Sequence, residues 1–187
     1  MRIGIDIDDT ITNTWQYMIP TYEKVFHIDK TILSTSIPYY GSIKDKVNLT
    51  IDKYFDTMRN YYDTLALNFP LKKDVKEVID NLHKLGHTII FITSRGKAYT
   101  NPFEITKKYL DNNQIYYDKL IVRAHYKDEV CLKEKIDLFI DDSIKHCTKV
   151  QASGIEVLMV DAPYNQKYKE FHHFKTWKEI EEYIKKR

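Results

Sequence analysis

Three aspartates, Asp6, Asp8 and Asp9, stand directly behind the β-branched run Arg2 to Ile7, and a pair, Asp141-Asp142, stands behind Leu138-Phe139-Ile140. Carboxylates in such positions can attack an electrophile, move a proton or hold a hard cation. If both runs are strands of one parallel sheet, the two acidic groups leave from the same edge, and four or five carboxylates share a small volume. Left uncompensated, that arrangement is strongly unfavourable. A divalent cation that takes oxygen ligands and keeps several waters removes the repulsion, which makes Mg²⁺ the natural occupant. Loop starts and helix caps would account for either acidic cluster alone, but less readily for both, each behind an apolar strand.

A third apolar run, Thr88-Ile89-Ile90-Phe91-Ile92-Thr93, ends in Ser94-Arg95. Thr93, Ser94 and Arg95 bring hydroxyls, backbone amides and a guanidinium to the same edge, a set that can hold a phosphate through short hydrogen bonds. A helix cap by Thr93 or Ser94 is the plainer alternative, and Arg95 could reach either the phosphate or an overlying element. Lys127, just before the helix that leads into Leu138, can supply a fixed positive charge to that phosphate, and Lys133 competes with it for the role.

The elements that must position these groups follow from periodicity. Val75, Val78, Ile79, Leu82 and Leu85 share one helical face, with Asp74 placed to cap the helix and Gly86 to close it. A helix feeding a fully apolar strand is the βαβ pattern of a parallel sheet. The pattern repeats through a helix near Phe103 to Asn112, a strand Lys119 to Val122, a helix near Asp128 to Lys135 and a strand Asp137 to Ile140. It recurs with a helix Ile144 to Ala152, a strand Ile155 to Val160 and a last helix from about Trp177. Five strands alternating with helices predict an α/β fold with an open, parallel, Rossmann-like sheet and its ligand site at the carboxyl ends of the strands. Between Ile11 and Pro70 the alternation stops. Helices such as Trp15 to Phe26 and Leu49 to Tyr62 fill about sixty residues, too many for a simple crossover, so an inserted helical cap is expected.

On these residues the chain resembles the phosphatases of the haloacid dehalogenase superfamily. The matching segments are Ile3-Gly4-Ile5-Asp6-Ile7-Asp8-Asp9-Thr10, Ile89-Ile90-Phe91-Ile92-Thr93-Ser94-Arg95, a lysine near Lys127, and Phe139-Ile140-Asp141-Asp142. The resemblance implies a core of residues 1–11 and 71–187 with a helical cap over 12–70. It implies Asp6 as the nucleophile that forms an aspartyl-phosphate, and Asp8 as the acid and base. Mg²⁺ would be held by Asp6, the backbone carbonyl of Asp8, and Asp142 or Asp141, with Asp142 favoured. Thr93, the amide of Ser94, and Lys127 would hold the phosphate oxygens. An aspartate two residues after the nucleophile is not the pattern of the dehalogenating members. The long insertion is similar to the cap of the 5'(3')-deoxyribonucleotidase group, as are Asp161-Ala162-Pro163-Tyr164-Asn165 and Trp177, for which the residues alone suggest no chemistry. The implied substrate is a nucleoside or deoxynucleoside monophosphate. Phosphatases of sugar phosphates, other small metabolites or polynucleotide ends, and a non-catalytic module that binds phosphorylated ligands, are the alternatives.

Composition narrows the partners. With 29 basic and 27 acidic residues the net charge is only +2, so no field draws the chain to long nucleic acids or a membrane. No apolar stretch is long enough for a signal peptide or a membrane span, and a cytoplasmic protein is expected. Cys131 and Cys147 fall in helices and read as buried thiols. The 15 tyrosines include the pairs Tyr39-Tyr40, Tyr61-Tyr62 and Tyr116-Tyr117. With Trp15 and Phe26, the tyrosines of the insertion could stack on a base, although packing is the commoner use. His172-His173 lacks partners at ligand spacing and reads as surface, as does the basic end Lys185-Lys186-Arg187.

Overall fold

The computed structural model describes residues 1–35, 43 and 46–187. Six strands form one parallel sheet: β1 (Arg2–Ile5), β2 (Thr88–Ile92), β3 (Lys119–Ile121), β4 (Leu138–Asp141), β5 (Glu156–Val160) and β6 (His173–Phe174), in the order β3-β2-β1-β4-β5-β6. The chain builds outward from β1 to β3, then returns across β1 to begin β4. The strand order therefore reverses at β1, and an open α/β sheet leaves a crevice beyond the strand ends at such a point.

Alternate residues of each strand enter two separate cores, which is why the strands read as continuous apolar runs. Ile89 and Phe91, with Leu138 and Ile140, pack on one face. Ile90 and Ile92, with Phe139, Val157 and Met159, pack on the other. The first face is covered by α4 (Val75–Lys84), α5 (Pro102–Asn112) and α8 (Trp177–Lys185), through residues such as Val78, Leu110 and Ile180. The second is covered by α6 (Lys127–Lys133) and α7 (Ile144–Ala152), through Cys131, Cys147 and Val150. Both cysteines are free and buried.

Element boundaries shift from expectation by a residue or two, and two local differences have physical causes. Asp74 adopts a left-handed backbone, φ 64°, and makes no side-chain cap, because that backbone does not aim the carboxylate at the first amides of α4. Gly86, φ 83°, does close the helix, with His87 N–H donating to the Leu82 carbonyl and Gly86 N–H to that of His83. The sixth strand, β6, lies beside Met159 and Val160 of β5. Two residues carry no alternation to detect, so this strand is visible only once its partner is in place.

Between β1 and α4 lie α1 (Thr14–Phe26), α2 (Lys30–Thr35) and α3 (Ile51–Leu65), followed by a 3₁₀ turn at Ala66–Asn68. The chain leaves and returns at one place: Asn13 N–H donates to the Pro70 carbonyl and Lys72 N–H to the Ile11 carbonyl, both at 2.8 Å. Trp15, Tyr22, Tyr54 and Tyr62 are buried here, and the Tyr22 and Tyr62 hydroxyls lie 2.7 Å apart. These aromatics build the interior of the helical segment. Tyr39 and Tyr40 lie outside the described residues.

Gly4 sits in the middle of β1, where an added Cβ would lie 2.9 Å from the Phe139 ring and 3.2 Å from both Ile136 and Ile92. Gly4→Ala is therefore expected to destabilise the protein by about 1–3 kcal/mol through overpacking. Urea unfolding should register the loss as a lower midpoint with an unchanged slope.

Candidate active site

β1 and β4 end side by side, and backbone pairing continues one step beyond β1 as Asp6 N–H donates to the Ile140 carbonyl at 3.0 Å. This step fixes Asp6 beside Asp141 and Asp142. The three carboxylates each offer an oxygen within 4.8 Å of the others, and all three residues are buried. Lys127, the first residue of α6, enters between them. Its Nζ lies 2.6 Å from Asp6 Oδ1 and 2.7 Å from Asp141 Oδ2, with the side chain only 2% exposed. Lys133 is exposed on the far part of the same helix.

The second oxygen of Asp141 and both oxygens of Asp142 are also engaged. Ser143 N–H donates to Asp141 Oδ1 at 2.7 Å, and Thr10 Oγ1 to Asp142 Oδ1 at 2.6 Å. The Tyr164 hydroxyl donates to Asp142 Oδ2. Asn165, fully buried, donates from its amide to the carbonyls of Asp142 and Val160, both at 2.8 Å. Trp177 Nε1–H donates to the Thr10 carbonyl at 3.2 Å. Tyr164, Asn165 and Trp177, which the sequence offered without chemistry, are thus the supports of Asp142 and of Thr10. Thr10 itself belongs to the acidic run, but its spacing alone gave no sign that it would turn to Asp142.

Of the aspartates behind β1, Asp9 is tied to the start of α1. Its backbone is left-handed, φ 62°, and its Oδ1 accepts from Trp15 N–H at 2.9 Å at the start of α1. Asp8 takes a third direction. Arg95 Nε donates to Asp8 Oδ2 and its terminal nitrogen to Asp8 Oδ1, both at 2.8 Å, while Thr14 Oγ1 adds a 2.8 Å bond to Oδ1.

The residues after β2 are placed as follows. Thr93 is buried, and its Oγ1 accepts from Arg95 N–H at 3.3 Å. Ser94 is half-buried, with its hydroxyl donating to the Ala124 carbonyl at 3.0 Å. Arg95, expected at the phosphate or an overlying element, spends its fork on Asp8 and has the Phe69 ring, in the segment expected as the cap, 5.6 Å from its Cζ. Ser94 also has His146 Nε2 at 3.5 Å, a residue with no sequence motif to announce it. His173, read as surface, is half-buried and bonds the Tyr168 carbonyl and Asp161.

Burial sets the electrostatics of the cluster. It pushes the Asp6 carboxyl well above its usual range; Lys127 opposes this, and the charges of Asp141, Asp142 and Asp8 add to it. Burial and Asp141 raise Asp142 to about 6, and burial with Asp142 raises Asp9 to about 8. Asp8 goes the other way: burial alone would raise it, but the Arg95 guanidinium outweighs that and holds it below the usual value. Lys127 stays charged, since Asp141 and Asp6 outweigh the cost of its burial. His146 is lowered to about 4 by burial and by Lys127, and so is neutral near pH 7. Three close carboxylates against one lysine leave an excess of negative charge on hard oxygen donors, which fits a small divalent cation.

A cavity of about 540 Å³ opens nearby, lined by Asp52, Asp56 and Arg59 of α3 together with Lys97, Tyr99, Thr100 and Arg123. Tyr99, one of its walls, has its ring centroid 5.5 Å from Arg95 Cζ.

Solved structures share this architecture. A protein named as a predicted phosphatase from Clostridium acetobutylicum aligns with a TM-score of 0.77 at 13% identity, covering 100% of this chain and 98% of that one. A haloacid dehalogenase-superfamily hydrolase of subfamily IA from Geobacter sulfurreducens aligns at 0.65 and 14%, covering 98% and 95%. The fold is that of the haloacid dehalogenase-like hydrolases. Residues 1–187 match the family described as 5' nucleotidase, deoxy (pyrimidine), cytosolic type C protein, and the chain belongs to that family of phosphatases. A nucleotidase from Clostridium acetobutylicum is 31% identical over 183 residues, spanning 96% of this chain and 91% of that protein. Among the described residues no helix is long and apolar enough to cross a membrane.

Proposed function

We propose that the chain is a Mg²⁺-dependent phosphomonoesterase that works through an aspartyl-phosphate on Asp6 and hydrolyses nucleoside monophosphates, deoxynucleotides first. The observation that carries this reading is the buried group of Asp6, Asp141 and Asp142 around Lys127, with Asp8 two residues beyond Asp6. Residues 12–70 serve as the cap and residues 1–11 with 71–187 as the core. Localisation is cytoplasmic, and the partner is a small phosphorylated substrate.

Asp6 attacks phosphorus and the ester oxygen departs, taking a proton from Asp8. Asp8 then removes a proton from the water that attacks the aspartyl-phosphate, and inorganic phosphate leaves with Asp6 restored. Lys127, Thr93 and the Ser94 amide bind the equatorial oxygens, where charge spreads in the transition state. Asp6, the Asp8 carbonyl, and Asp142 or Asp141 would hold Mg²⁺. When bound, the ion neutralises charge between the carboxylate nucleophile and the phosphate dianion. The cavity volume suits a nucleoside, falling within the roughly 300–1,000 Å³ usual for small-ligand sites. The family description, which names deoxynucleotides of pyrimidines, and the nucleotidase relative favour that leaving group.

Phosphate release from a panel of deoxynucleoside, ribonucleoside and sugar monophosphates, each with Mg²⁺ or EDTA, tests the reading. Release that requires Mg²⁺ and favours deoxynucleotides supports it. Release confined to sugar phosphates overturns the substrate and leaves the mechanism standing. No turnover of any substrate transfers the site to ligand binding alone.

A further inference from the structure

Arg95 has a task that phosphate binding does not describe. The side chain is 1% exposed, while that of its partner Asp8 is 30% exposed. Its guanidinium is caged by Phe69, Tyr99 and Tyr109, whose ring centroids lie 5.5–5.6 Å from Cζ. The cage is itself fastened, because the Tyr109 hydroxyl donates to the Phe69 carbonyl at 2.8 Å. A third nitrogen of the fork lies 3.4 Å from Thr106 Oγ1. Walls from three separate stretches of chain leave this guanidinium one orientation, with its fork on Asp8.

Asp8 stands past the end of β1, where its own backbone does little to fix the two torsions of a short carboxylate. Two parallel N–H···O bonds fix both. Among the described residues, Oδ1 accepts from Arg95 and Thr14, whereas Oδ2 accepts from Arg95 alone. One lone pair of Oδ2 therefore remains unengaged by these bonds.

We propose that Arg95 is a positioning residue: its caged fork turns Asp8 so that the unengaged site of Oδ2, which carries the proton in the acid form, faces the leaving-group oxygen. This rests on the reading of Asp8 as the acid of the first step. Aim matters most where the departing oxygen needs a proton to leave. An alkoxide needs it, and p-nitrophenolate does not.

The experiment compares kcat/KM, which reports only steps through departure of the alcohol, for p-nitrophenyl phosphate and for the alkyl phosphate that the Mg²⁺-loaded wild type turns over fastest. Arg95→Gln should lower the alkyl value by about 10²-fold and the p-nitrophenyl value by less than about threefold, since general acid catalysis is worth roughly 10²–10⁴. Arg95→Lys keeps the charge but not the fork and should recover little of the loss. Thr14→Val, which removes the side bond to Oδ1 together with the 2.7 Å contact to the Thr12 hydroxyl, should shift the ratio of the two values in the same direction by a few-fold, and it decides the matter if Arg95→Gln does not fold. Equal losses on both substrates overturn the proposal, since they mark a phosphate contact or a packing role; so does an alkyl-to-aryl ratio that holds or rises. Asp8→Asn is the control. If it too fails to discriminate between leaving groups, the reading of Asp8 falls and the proposal with it; if it discriminates and Arg95→Gln does not, the proposal alone falls.

Discussion

Asp6→Asn is expected to lower phosphate release by about four to six orders of magnitude, the scale seen when a covalent nucleophile or its partner is removed. The amide keeps the size of the side chain and its place beside Ile140, but it has no anionic oxygen to attack phosphorus. The variant should fold at least as well as the wild type. Asp6 is buried among Asp141, Asp142 and Asp8, and its carboxyl is already pushed far up by burial and by those charges, so a neutral side chain relieves repulsion. Steady-state release measured beside a thermal melt tests both parts. A variant with wild-type stability and more than about a tenth of wild-type activity would show that phosphorus is attacked by another group, since such a loss is under about 1.4 kcal/mol of barrier.

Lys127→Met should act on stability more than any other substitution in the site. Lys127 is the shared cation of Asp6 and Asp141, with the three side chains between 0% and 9% exposed. Removing one partner from a buried ion cluster leaves uncompensated charge and costs roughly 3–5 kcal/mol. The loss should depend on pH, and its sign follows from Asp6. A carboxyl whose folded pKa lies above its unfolded value binds its proton more tightly when folded, so stability falls as pH rises from the unfolded pKa through the folded one. Without Lys127 the Asp6 pKa rises further and that window widens upward. The destabilisation should therefore be smaller at pH 5 than at pH 8. Denaturant midpoints for wild type and variant at the two pH values measure it in EDTA; a gap that is the same at both would mean that Lys127 contributes packing rather than charge. In the wild type the raised Asp142 and Asp9, at about 6 and about 8, predict the same downward trend over that range.

Much of the frame was legible in the chain because it rests on local regularities. Five of the six strands are apolar runs bounded by polar residues, and the helix ending at Gly86 displays an apolar stripe with a closing glycine. The reach of the site was legible for a related reason. In a parallel sheet, residues that follow strands must emerge at one edge, so Asp6, Asp141, Asp142 and Thr93 could be brought together from their order alone.

The partners within that edge could not be read in this way. Asp6, Asp8 and Asp9 are near neighbours in sequence, yet one faces Lys127, one faces Arg95 and one receives the first turn of α1. Backbone dihedrals in a tight loop decide those directions, and a left-handed residue such as Asp9 has no compositional mark. Lys127 differs from Lys133 only in the face of α6 it occupies.

The sheet, the edge to which the strands deliver their following residues and the carboxylates that meet there follow from the order of residues, since periodicity and strand polarity are properties of a single run. Which lysine is buried with Asp6, that Tyr164, Asn165 and Trp177 support the Asp142 end of the site, and that Arg95 holds Asp8 emerge once the chain is folded. Each of those pairings joins residues from 22 to 167 positions apart. At such separations no local propensity acts, and the choice falls to packing, hydrogen bonding and the cost of burying an unpaired charge.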